Sequence, residues 1–124
     1  MAWDYVSEND LSMVASGDLS GKQFCLTTIS SDNVIIPNYS AGTPSVTGVL
    51  YNKPTNGQTA RTRPFGVAKV WAGGTIAAGN ELTNTASATA TVVASGQFIN
   101  GFAITGVASG GYFTAVIGNF GYKG

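Results

Sequence analysis

The sequence predicts an all-β fold, a small single-domain β-barrel or sandwich of about eight to ten short strands with an N-terminal arm. Three observations lead there. Apolar and β-branched residues come in short runs bounded by Gly, Pro and Asn, the punctuation of strands and turns. No stretch sustains the 3.6-residue periodicity of an amphipathic helix. The chain has 124 residues, enough for one domain with its own core and too few for a two-domain enzyme.

Residues 1–10 carry Trp3, Tyr5 and Val6 among polar and acidic neighbours, too little apolar surface to pack alone. They read as an arm, with 11–124 as the barrel-like domain. Tyr5 and Val6 suit an edge strand and Trp3 an anchor on a partner. Ser7 with Asp10 has helix-capping spacing, but Leu11 to Val14 alternates with period two and is read as a strand. Gln23 to Ile29 and Asn33 to Ile36 are strands by β-branched and aromatic content, with Ser31-Asp32-Asn33 as their turn. Residues 37–45 hold two prolines and a glycine and read as a loop. Val46 to Tyr51 is a further strand, ended by turn residues from Lys53 to Gly57. Gln58 to Arg63, running into Pro64, is expected to be an exposed edge, where proline is tolerated.

Phe65 to Leu82 organises the rest. Phe65, Val67, Lys69 and Trp71 fall on one side of an extended segment and Gly66, Ala68 and Val70 on the other. Gly73-Gly74 then turns the chain, and Ile76 and Leu82 re-enter apolar surroundings around a second turn at Gly79-Asn80. The Ala/Thr tract from Thr83 to Val93 reads either as a thin strand with Thr toward solvent or as a mobile connection. Phe98 to Ile104 and Tyr112 to Ile117, joined through Ala108 to Gly111, read as a closing hairpin.

Six basic and six acidic residues cancel, which argues against sequence-independent nucleic-acid binding, since that rests on neutralised phosphates. Charged residues make up only 10% of the chain, and Glu81 is the sole charge from Val70 to Tyr122. Such a surface suits cover by other subunits. No apolar run reaches the roughly 18 residues of a membrane span and no signal-like segment opens the chain, so synthesis in a cytoplasm is expected.

Little chemistry is on offer. There is no histidine, the commonest general base and metal ligand, and one cysteine cannot build a zinc site. Cys25, between Phe24 and Leu26, reads as a small buried hydrophobe. The acids Asp4, Glu8, Asp10, Asp18, Asp32 and Glu81 are scattered, with nothing to pair two of them. Gly73 to Gly79 lacks the Gly-Lys-Ser/Thr of a phosphate loop. We therefore expect no catalysis, no metal and no cofactor. Trp71, Tyr51, Arg61 and Arg63 form the one aromatic and basic set suited to carbohydrate or protein contact.

Three places resemble the tailed-phage head decoration (capsid cement) proteins. The first runs from Tyr5-Val6 through Asn9-Asp10-Leu11-Ser12-Met13 to Ser16-Gly17-Asp18-Leu19. The second is Phe65 to Val70 continuing into Ala72-Gly73-Gly74-Thr75-Ile76-Ala77-Ala78-Gly79-Asn80-Glu81-Leu82, similar to the family's glycine corner. The third is Asn100 to Ile104 with Ala108 to Ile117. The tract from Thr83 to Thr91 departs, being longer and blander than the family's turn. The resemblance implies a non-enzymatic subunit on the outside of a virion head, often trimeric, that clamps neighbouring subunits of the major capsid protein. It implies neither a nucleic-acid nor a membrane partner. Trp3, Asp4, Tyr5, Glu8, Arg61 and Arg63 become candidate capsid contacts, and Phe102, Ile104, Tyr112 and Phe113 a candidate subunit interface. A head-fibre base that projects from the shell, and a carbohydrate- or receptor-binding module using Trp71 and Tyr51, are the competing readings.

Overall fold

A computed structural model describes residues 10–43 and 48–124. Among them are ten strands and no helix: β1 (Leu11–Ala15), β2 (Leu26–Ser31), β3 (Val34–Pro37), β4 (Gly48–Leu50), β5 (Thr59–Arg63), β6 (Gly66–Trp71), β7 (Glu81–Asn84), β8 (Ala90–Val92), β9 (Gly101–Ala103) and β10 (Tyr112–Ile117). The arm, apart from Asp10, and the beginning of the strand expected from Val46 lie outside the described residues.

The first five strands close into a barrel in the order β1-β3-β2-β4-β5, and the last five form a sheet in the order β6-β10-β9-β7-β8. Barrel closure rests on β1, which pairs parallel with β3 and antiparallel with β5. Asp32 and Asn33 make the turn between β2 and β3, with Asn33 at φ 58°, a conformation asparagine tolerates better than most residues. The sheet curls back on itself: Ala72, just after β6, bridges Ala90 of β8, and the Gly73 amide donates to the Ala90 carbonyl at 2.8 Å.

The alternation read in Phe65 to Trp71 holds, with Ala68 and Val70 buried and the intervening side chains outward. Ile76 and Leu82 also enter the core. That core joins Phe24, Leu26, Val49 and Tyr51 from the first half to Val70, Leu82, Phe113 and Ile117 from the second, while Met13, Leu19, Ile35 and Leu50 fill the barrel. Barrel and sheet thus share one apolar cluster, and the barrel encloses a second of its own.

Three expectations fail. β5 is no edge: it lies between β1 and β4, and Ala60, Thr62 and Arg63 are fully buried. The Ala/Thr tract divides into the end of β7, a turn and β8, with Thr83 and Thr89 buried instead of facing solvent; the Thr85 and Thr89 hydroxyls close the turn 2.8 Å apart. The strand expected from Gln23 begins only at Leu26, because Phe24 takes a left-handed φ of 70°.

The corner glycines have two different reasons. Gly79 sits at φ +88°, whereas a β-carbon on Gly73 would fall 2.1 Å from the Thr89 hydroxyl oxygen. Gly73→Ala is therefore expected to destabilise by about 1–3 kcal/mol through overpacking, and Thr89→Ser should not relieve it because the hydroxyl stays in place. Paired chemical-denaturation curves check this. Cys25 is buried, and burial pushes its thiol up to about 11, Lys22 opposing weakly. It should react with a thiol reagent at pH 8 only as fast as the protein unfolds, which a stopped-flow comparison in water and denaturant would measure.

Candidate interaction surfaces

Strand register builds the first surface. Phe113, Ala115 and Ile117 of β10 point into the core, so Val116 points out, opposite Val67 of β6 on one side and Phe102 of β9 on the other. Phe102 in turn faces Glu81 of β7. The tail after β10 adds Phe120, whose ring packs 4.8 Å from that of Phe102. Its Lys123 ammonium reaches Glu81 Oε1 at 2.7 Å. The outer face of the sheet is thus an apolar and aromatic row whose rim charges neutralise each other. Exposed Phe65 and Ile104 extend it.

Of the residues expected at a subunit interface, Phe102, Ile104 and Tyr112 lie on this outer side. Phe113 does not. It is 0% exposed within its own subunit, because the alternation that turns its neighbour Tyr112 out turns Phe113 in, and it presents no surface to a partner.

The second surface is where the chain enters the barrel. Asp10 accepts from Arg61 Nε at 2.6 Å and from Arg63 Nε at 2.9 Å, and Arg63 Nη2 adds a longer bond at 3.3 Å. Arg63 Nη1 donates to the Val67 carbonyl at 3.1 Å, which ties the barrel to the edge strand of the sheet. The Arg63 guanidinium lies 3.8 Å from the centre of the Tyr51 ring. Burial by itself would raise the Asp10 pKa, but the hydrogen bonds and charges of Arg63 and Arg61 outweigh it and hold the carboxyl below its ordinary value. Arg63 is 0% exposed and is removed from the candidate capsid contacts: it is a structural ion partner. Arg61 keeps 42% of its side chain exposed. Trp3, Asp4, Tyr5 and Glu8 lie outside the described residues.

Tyr51 is 5% exposed, and its ring is enclosed by Phe24 and Arg63, so it cannot be the stacking platform the sequence suggested. Trp71 is half-buried, its indole N–H donating to the Gly110 carbonyl at 3.1 Å. The exposed ring beside it is Tyr112, 5.8 Å away. Sequence reasoning missed the role of Asp10 as a clamp; the only signal was an acid at one end of the chain and two arginines far from it in sequence.

No protein-family model and no curated protein matches the sequence. A solved structure does: the N base of the head fibre protein gp8.5 of bacteriophage phi29 superposes with a TM-score of 0.69 over 87% of this chain and 92% of that one, at 21% identity. The chain has the fold of a phage head-fibre base. At this identity the likeness establishes the fold, and it spans both the barrel and the sheet. The neighbour is a tailed-phage head protein, the class of virion component that the resemblance pointed to.

Proposed function

We propose that the chain is a structural protein of a tailed-phage head, made in the host cytoplasm and carried on the outer surface of the virion shell. There it works as a decoration or cement protein that bridges neighbouring major capsid protein subunits as a homotrimer. The observation that carries this reading is the fold held in common with the phi29 head-fibre base over 87% of the chain.

Two features support it. The row of Val67, Val116, Phe102 and Phe120 is apolar, aromatic and rimmed by a single ion pair, the make-up of a protein–protein contact. Repetition over a lattice lets many modest contacts of this kind add up without a deep pocket. The role is non-enzymatic, in keeping with a sequence that has no histidine, and needs neither nucleic acid nor membrane.

A head-fibre base is the second reading, favoured by the neighbour itself. The two separate on one measurement: a cement protein raises the temperature at which expanded heads rupture, while a fibre base binds and leaves it unchanged. Trimer formation is tested by light scattering. The expected mass is three times that of the chain, falling to one in Val116→Asp, whose side chain points outward and leaves the core intact. A wild-type monomer at high concentration would contradict the homotrimer.

A further inference from the structure

The charges of the molecule are distributed unevenly around one cleft. Of the six basic residues, Arg61 and Arg63 are committed to Asp10 and Lys123 to Glu81. Lys22, Lys53 and Lys69 have no ion-pair partner among the described residues; Lys53 and Lys69 meet at one cleft, while the Lys22 ammonium lies 5.8 Å from the Tyr39 ring centre. Ser20, Gly21, Gln23, Lys53 and Tyr112 line a cleft of about 150 Å³. Lys22 lies between two of these residues in the chain, and Lys69 Nζ sits 5.4 Å from the Tyr112 ring centre. Asp18 accepts from the amide of Ser20, a lining residue, at 3.0 Å.

The cleft is also pre-formed. Its wall is the Tyr112 ring, 44% exposed and fixed in orientation by Phe24 at 5.4 Å and Trp71 at 5.8 Å. Gln23 is held by its Nε2, which donates to the Tyr51 carbonyl at 3.2 Å, leaving the amide oxygen as a positioned acceptor. A cavity near 150 Å³ admits a single six-membered ring. An aromatic wall, a few placed polar groups and a cation together specify a ring that is polar at its edge and negatively charged.

We propose that this cleft binds one hexuronate ring of an acidic polysaccharide. The C–H face of the sugar rests on Tyr112, its carboxylate meets Lys53, and its hydroxyls meet Gln23 and Ser20. Lys69, beside the Tyr112 ring, supplies attraction to a neighbouring uronate of the same chain. This binding is independent of the head role proposed above, and it assigns Tyr112 to a ligand instead of to the subunit interface.

The test uses the full-length Trp3→Phe protein, in which Trp71, beside Tyr112, is the one remaining tryptophan. It is titrated with trigalacturonic acid by fluorescence and by calorimetry. Saturable binding at concentrations on the order of millimolar or below is expected. The trimethyl ester of trigalacturonic acid, its neutral counterpart, should bind about tenfold more weakly, as should trigalacturonic acid to Lys53→Gln, an exposed change that leaves the fold alone. Tyr112→Ala should abolish binding and Tyr112→Phe should retain it. The proposal is overturned if trigalacturonic acid gives neither signal nor heat, or if Lys53→Gln binds as tightly as the parent. It is equally overturned if tripolyphosphate binds as well as the sugar acid, since charge alone would then suffice.

Discussion

Asp10→Ala is expected to destabilise the protein by about 3–5 kcal/mol, because it removes the carboxylate to which the fully buried Arg63 guanidinium donates. In a domain of this size that lowers Tm by more than about 10 °C. Arg63→Met, which removes the buried charge and keeps much of the volume, should cost less than Asp10→Ala, and the double variant less than the sum of the two. The sign of the pH dependence follows from the same geometry. The folded-state pKa of Asp10 is lowered from 3.8 by its arginine partners, so its contribution is fully present above the unfolded value and disappears as pH falls through the folded one. Asp10→Asn should therefore flatten the loss of stability below pH 4 relative to the parent. Thermal melts between pH 2 and 6 check both statements, and an unchanged profile would show that the clamp carries no stability.

The second large effect is at Phe24. Its ring meets Tyr51 edge-on at 5.3 Å and Tyr112 at 5.4 Å. Its backbone also bridges the two halves of the molecule: its amide donates to the Leu50 carbonyl, and its carbonyl accepts from the Trp71 amide. Phe24→Ala should cost about 3–5 kcal/mol for the buried ring. Phe24→Gly should be no worse than alanine, against the usual ranking, because φ 70° is a conformation that glycine reaches without penalty. Urea titrations of the two variants decide it; a glycine variant clearly weaker than the alanine one would mean that the backbone at this position is not strained.

Glu81 and Lys123 are the counter-example. Both remain partly solvent-exposed, and breaking this pair should change stability by no more than about 1 kcal/mol.

These residues also indicate how far the sequence can be read. Period-two alternation made β1 and β6 legible, because each has one face in the core and one outside it. The fate of β5 was hidden. Thr59 to Arg63 looks like an edge because it is polar and ends at a proline, yet Arg63 is buried by a carboxylate 53 residues away, and no local pattern encodes a partner that distant. Phe24 was misread for a related reason: its aromatic character suits a strand, while the backbone partners of its left-handed residue are the distant Leu50 and Trp71. The outer apolar row was half visible. Phe102 and Ile104 were identifiable as large residues near the end of the chain, but only register separates Tyr112, which points out, from Phe113, which points in. The aromatic platform shifted from Tyr51 to Tyr112 by the same logic of burial.

One binding measurement tests the proposed head role most directly: the purified protein is mixed with expanded, undecorated tailed-phage heads and the heads are sedimented. The proposed role predicts saturable binding at a fixed number of copies per capsid subunit, on the outer surface by electron microscopy, and its weakening in Val116→Asp, whose monomers lack the avidity of a trimer. A protein that stays in the supernatant at every concentration, or that binds without saturating, would contradict it.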